Sequence, residues 1–164
     1  MFSVNGVVEV TKTLVIGFGN TMRRDDGAGC FAAEMIAAAH PGVDWLSLAQ
    51  LTPELAQVIT QYERVLFLDA SVEVRHVKIS ELLPQAGRQL LVSHTLSPQH
   101  ILDLAFELYG ERPHQTALVE LPACDLDFGW GLSPLTQEMV EQFVSFFAVV
   151  SSATTTQWKA SALS

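Results

Sequence analysis

The chain reads as an α/β protein, a three-layer α/β/α sandwich around a twisted, mostly parallel sheet of about five strands. Three observations predict it. Short apolar runs without alternation, Lys12–Phe18 and Arg64–Asp69, have the pattern of strands covered on both faces. Between such runs lie segments whose apolar residues recur at helical spacing, as Ala28, Ala32, Met35, Ile36 and Ala39 do. The helices also carry start and stop signals: Ser97-Pro98 and Ser133-Pro134 at beginnings, His40-Pro41-Gly42 and Gly110 at ends.

In chain order, the first strand, Lys12–Phe18, runs into a Gly-rich turn and a polar loop to Gly29, overlapping the start of a helix over 28–39. Val43–Ala49 is a second strand. Thr52-Pro53-Glu54 opens a helix to Tyr62, with Thr52 as cap, Pro53 at the first helical position and Glu54 facing the positive end of the dipole. Arg64–Asp69 is the clearest buried strand and ends in a carboxylate. Val74–Leu82 alternates, with Val77 and Ile79 inward, as a half-exposed strand. Leu90–Ser93 is a short apolar run before His94. The helix from Ser97 turns Ile101, Leu104, Ala105 and Leu108 inward. Thr116–Leu121 is a strand, Pro122–Gly131 an irregular loop, and the last helix has Val140, Phe143, Val144 and Phe147 as its inner face. Residues 151–164 lack periodicity and read as a loose tail.

The 164 residues make one domain, 1–164, with its core over about 12–148. Hydrophobic residues are 49% and charged residues 16%, so the chain folds instead of staying disordered. Nine basic against eighteen acidic residues give a net charge of −9, and the basic ones are scattered, which excludes a nucleic-acid partner. No apolar run reaches the ~18 residues that span a bilayer, and residues 1–10 do not read as a signal peptide. Cys30 and Cys124 make no disulfide framework. The expectation is a cytoplasmic monomer that meets neither membrane nor nucleic acid.

In such sheets the working site lies beyond the carboxyl ends of the strands. Groups with metal-binding chemistry follow three apolar runs: Asp25 and Asp26, then Asp69, then His94. The loop Gly17-Phe-Gly19-Asn20-Thr-Met22-Arg23-Arg24-Asp25-Asp26-Gly27-Ala-Gly29 invites a dinucleotide reading, but Met22 stands at the third glycine position and the acids would repel a phosphate. No Walker lysine follows. Adjacent carboxylates at a helix start suit a cation better, although one of the two suffices as a helix cap. Asp69 alone is also explained by a turn with Ser71, and His94 alone by a loop hydrogen bond. Together, two carboxylates and an imidazole on one rim form a mixed oxygen and nitrogen set suited to a divalent transition ion. There is no His-Glu-x-x-His motif and no convincing nucleophilic triad. Cys30 reads as inert core, and nothing in the sequence activates Cys124.

The stretches Gly17-x-Gly19-Asn20-x-x-x-x-Asp25-Asp26-Gly27-x-Gly29, Leu68-Asp69-Ala70 and Ser93-His94-x-Leu96-Ser97-Pro98 together resemble the [NiFe]-hydrogenase maturation endopeptidases, over most of residues 12–148. The resemblance implies an endopeptidase that removes the C-terminal extension of a hydrogenase large-subunit precursor after nickel insertion. It maps the metal-contacting and catalytic trio onto Asp26, Asp69 and His94. Nickel would arrive with the precursor, and no organic cofactor is implied. Candidate substrate contacts are Gly19, Asn20 and Asp25 in the first loop, Gln50 after the second strand, and Trp130 in Phe128-Gly-Trp130-Gly; Arg23 and Arg24 could meet carboxylates of the precursor tail. Many family members carry an Asp-Gly-Gly-Thr-like stretch where this chain has Ala49–Leu55 and no Asp-Gly pair, which leaves the class of hydrogenase open. Two other readings stay on the table: a non-catalytic metal-delivery or scaffold protein using the same trio, and a nucleotide-binding domain.

Overall fold

The computed structural model describes residues 3–4, 7–8, 11–85 and 95–152; the short run before His94, His94 itself and the expected tail beyond 152 lie outside the described residues. Two-residue strands β1 (Ser3–Val4) and β2 (Val7–Val8) pair antiparallel by themselves. The main sheet contains β3 (Thr13–Phe18), β4 (Asp44–Leu48), β5 (Arg64–Ser71), β6 (Lys78–Glu81) and β7 (Gln115–Pro122) in the order β4-β3-β5-β7-β6. All neighbours run parallel except β6, which pairs antiparallel with β7. Helices α1 (Ala28–Ala39), α2 (Leu55–Ile59), α3 (Pro98–Tyr109) and α4 (Pro134–Ser152) complete the expected α/β/α sandwich.

The two-residue period of the strands sorts the core into two layers. Val15, Leu66, Leu68, Val119 and Leu121 point to one face and pack with Ala32, Ala33 and Ile36 of α1 and Val140, Phe143 and Phe147 of α4. Leu14, Ile16, Val65 and Phe67 point to the other and pack with Leu55 and Ile59 of α2 and Ile101, Leu102 and Ala105 of α3. Both faces are apolar because both are covered, which is why β3 and β5 show no alternation in sequence.

The first helix approaches the sheet unusually closely. A Cβ on Gly17 of β3 would lie 2.1 Å from the carbonyl oxygen of Gly29, and one on Gly29 would lie 2.1 Å from that of Leu68 on β5. Only hydrogen at both positions lets the start of α1 rest on the ends of two strands.

Several expectations are corrected at element ends. The second helix stops at Ile59 instead of Tyr62 and has no side-chain cap. Leu55 N–H donates to the main-chain oxygen of Thr52 at 3.1 Å, Thr60 Oγ1 turns back to the Gln57 carbonyl at 2.6 Å, and Glu63 and Arg64 N–H are drawn to Lys12 O at the start of β5. The strand over 74–82 shrinks to Lys78–Glu81, because the next partners along β7 would be Leu121 and Pro122, and proline has no N–H to give. In α3 Leu102 is buried while Leu108 is exposed. Residues 151 and 152 belong to α4 and not to a tail. The start of α3 is as expected: Ser97 caps it in a reciprocal box with His100, and Gly110 closes it at φ 66°.

Gly29→Ala should therefore lower stability by about 3 kcal/mol or more, since its methyl meets main chain that cannot move aside. Gly42→Ala, where a Cβ meets nothing within 4 Å, should change it by less than about 0.5 kcal/mol in the same urea titrations.

Candidate functional site

β3 leads through α1 to β4 on one side of it, and β4 leads through α2 to β5 on the other. α1 and α2 lie on opposite faces of the sheet. The strand order thus reverses between β3 and β5, and in such sheets the ligand crevice lies past the carboxyl ends of the strands at that point. Asp26 and Asp69 both lie at this end, near enough for the charge of Asp26 to raise the Asp69 proton affinity.

Asp26 is set by the loop after β3. Gly19, at φ 138°, lets the chain pass so tightly that a Cβ would lie 2.1 Å from the main-chain oxygen of Asp26, and its N–H donates to Leu48 O at the end of β4. Asn20 N–H donates to Asp26 Oδ2 at 2.8 Å, while the Asn20 side-chain oxygen accepts from Met22 N–H at 2.9 Å. A 3-10 turn, Arg24–Gly27, then feeds α1. Gly19 and Asn20, expected as substrate contacts, are placed to shape this loop and hold the Asp26 carboxylate.

Asp69 is the sixth residue of β5 and shares the α2/α3 face with Val65 and Phe67. Burial pushes its carboxyl up to about 6; the Ala70 N–H opposes the shift, and the charges of Asp26 and Glu120 add to it. Leu96, two residues beyond His94 in the chain, packs in the cluster on that same face. Among the described residues no set of three potential metal ligands gathers, so the described part of the site is the two acids.

Sequence reasoning missed two neighbours. Glu120 stands opposite Asp69 in the parallel register and is ion-paired at 3.3 Å with Lys78, its own register partner on β6. A lone acid in the otherwise apolar run Leu118–Leu121 was the signal available. Cys30, expected as inert core, is buried as expected, and it lies close enough to Asp26 and Asp69 to feel their charges. Its Sγ is 3.5 Å from Leu48 O and 3.7 Å from Gly19 O. Burial raises its thiol pKa, hydrogen bonding to Ser47 and Leu48 opposes this, and the charges of Asp26 and Asp69 raise it further.

Asp25 corrects an expectation. It was a candidate substrate contact, yet it is wholly inaccessible. Oδ1 accepts from Ser133 N–H at 2.6 Å. Oδ2 accepts from Cys124 N–H at 2.8 Å, Asp125 N–H at 2.9 Å, Ser133 Oγ at 2.7 Å and Thr136 Oγ1 at 2.9 Å. It caps neither helix but holds Ser133, at the start of α4, and the Thr136 hydroxyl in its first turn, and so fastens the first loop to the loop before α4. Burial pushes its pKa up, but the donors at Ser133, Cys124 and Asp125 outweigh burial and hold it below the ordinary carboxylate value.

The remaining expected contacts lie around the crevice. Gln50 is exposed two residues past Leu48, the residue that receives the Gly19 N–H. Trp130 is 68% exposed and meets Phe31 edge-on, with ring centres 5.6 Å apart. Cys124 is exposed and unpaired, and no helix is long and apolar enough to cross a membrane among the described residues.

Solved structures carry the same arrangement of sheet and helices. A [NiFe] hydrogenase maturation protease HybD from Thermococcus kodakarensis superposes with a TM-score of 0.62 at 21% identity, covering 85% of this chain and 98% of that one. HycI from Thermococcus kodakarensis KOD1, also a [NiFe] hydrogenase maturation protease, gives 0.64 at 22%, covering 85% and 92%. The hydrogenase maturating endopeptidase HybD from E. coli gives 0.60 at 22%, covering 85% and 91%. The chain has the fold of the hydrogenase maturation proteases. No protein-family model and no curated protein matches it.

Asp69 and Asp25 should respond oppositely to pH. Asp69 holds its proton to higher pH folded than unfolded, so its contribution to stability falls as pH rises from about 4 to about 6 and stays lost above. Asp69→Asn should therefore raise stability at pH 7.5 by on the order of 2 kcal/mol, or several degrees in Tm, with no difference near pH 4. Asp25 gives stability that is present above its unfolded pKa and lost as pH falls through its folded one. Asp25→Ala should cost about 3 kcal/mol or more at pH 7, measured by urea unfolding, because it orphans buried donors.

Proposed function

We propose that this protein is an endopeptidase of hydrogenase maturation, removing a C-terminal extension from a [NiFe]-hydrogenase large-subunit precursor once nickel is in place. The observation that carries the reading is the meeting of Asp26 and Asp69 at the strand-order reversal, in a fold shared with proteases of that kind. The nickel belongs to the substrate, and Asp26, Asp69 and His94 are the groups that would contact it.

The electrostatics favour a cation there. Asp26 and Asp69 are both half-buried, and the Asp69 proton affinity is raised by burial and further by the charge of Asp26. A divalent ion relieves that repulsion, and carboxylate oxygens with an imidazole nitrogen are a donor set that accepts nickel. A precursor without nickel leaves the repulsion in place, so the loaded precursor binds preferentially and cleavage waits for metal insertion. A divalent ion at this point also polarises a carbonyl or acidifies a water.

The test is the mass of a purified, nickel-loaded precursor after incubation with the protein. The wild type should shorten it and should leave a nickel-free precursor intact. Asp26→Asn, Asp69→Asn and His94→Ala should each slow the cut by at least about a hundredfold while the protein stays folded. A precursor that stays full length with the wild type would instead mark a metal-delivery or scaffold protein. Undiminished trimming by the triple variant would remove the assignment of the trio.

A further inference from the structure

We infer that the paired loops beside Asp26 form a rigid platform for the precursor's tail, with Arg23 receiving a tail carboxylate and Phe128, Trp130, Met22 and Leu126 receiving adjacent apolar side chains. The inference rests on the proposed function and names how its substrate is held.

The loop 20–27 and the loop 123–133 are joined along their backbones. Arg24 N–H donates to Gly129 O at 3.0 Å, Gly129 N–H donates to Met22 O at 2.9 Å, and Arg23 and Gly129 form a parallel bridge. From beneath, Asp25 fastens both loops through the hydrogen bonds described above. The apolar side chains this junction carries are nonetheless turned to solvent: Phe128 is 81% exposed and Met22 61%. Large apolar groups on a fixed backbone, unable to fold inward, are what an interface anchor requires.

The charge pattern says what covers them. Arg24 pairs with Asp125, Nε to Oδ2 at 3.5 Å. Arg23 is held differently: Nε donates to Leu126 O at 3.1 Å, and the guanidinium lies 5.1 Å over the Phe128 ring. Among the described residues no carboxylate lies within ion-pair distance of it. A guanidinium pinned at Nε and stacked on an aromatic ring is preorganised to take a carboxylate with its remaining N–H groups. The complementary ligand is a peptide segment bearing an acidic residue beside an aliphatic or aromatic one. Asp26 N–H donates to Arg23 O at 3.0 Å, so this receptor and the proposed metal contact are one turn apart in a single loop. A tail held here lies beside the crevice.

The experiment is steady-state processing of the nickel-loaded precursor by the wild type, Arg23→Gln and Phe128→Ala, with melting curves to establish that each variant is folded. Each variant should raise KM about tenfold and leave kcat within about twofold. Acidic residues of the tail are then changed to amides one at a time. One such change should raise KM about tenfold for the wild type and add nothing for Arg23→Gln, the coupling expected of a direct pair. If both variants keep the wild-type KM, or if every tail change adds in full to Arg23→Gln, the platform is wrong while the function stands. A wild type that leaves the precursor full length overturns the function and this inference with it.

Discussion

The close seating of α1 on the strand ends is the constraint from which the site follows. Gly29 brings the helix start against Leu68 O, one residue before Asp69, and Gly17 receives Gly29 from the other side. The loop between Gly17 and Gly29 then has nowhere to go but over the crevice where the strand order reverses. Gly19 turns it so tightly that its neighbour in space is the main chain of Asp26. The spacing of these glycines is therefore a distance requirement: it fixes how far the first loop's acid stands from Asp69 on β5, a strand that runs on to Ser71 where the sequence pattern ended it at the acid. A Cβ at any of the three would meet main-chain oxygen at 2.1 Å, of Gly29, Asp26 or Leu68.

Asp25 and Asp26 are adjacent and identical, and the fold separates their roles by solvation. Asp25 is inaccessible yet stays ionised, because five donors converge on its two oxygens. Its negative charge also complements the start of α4. Asp26 receives one amide, from Asn20, and stands across from Asp69. One acid is bound so completely that it can only hold loops together; Asp26, with its single amide partner, is the one that the proposed function would turn to a cation together with Asp69. The latch serves the site indirectly, since it keeps the two loops around the crevice in register.

The fold was largely legible because each principal strand is short, apolar and bounded by glycine, proline or an acid, and because Ser97-Pro98 and Ser133-Pro134 mark helix starts. Asp69 was legible for a similar reason, as a carboxylate directly after an apolar run. What escaped depends on partners remote in sequence. Asp25 could not be told from Asp26, since Cys124 and Thr136 lie 99 and 111 residues away. Glu120 reads as an ordinary polar residue on a strand until the register sets it beside Asp69. Leu108 fits the helical stripe of α3 but falls where no second layer covers it. The start of α2 was misjudged because Thr52, the expected cap, lends its carbonyl and not its hydroxyl.

A half-buried acid whose proton affinity is raised chiefly by burial, and further by two other acids, destabilises the molecule that carries it. Structure alone gives no reason to keep it: an amide in the same place would accept the Ala70 N–H without the repulsion. Lys78 does not offset the arrangement, because it pairs with Glu120 on the far side of β7 and leaves Asp69 between two negative charges. A site organised this way is incomplete until positive charge arrives from outside. Under the proposed function this is what would separate a metal-loaded precursor from an empty one, since the stabilisation released on meeting the cation is available only with the loaded form.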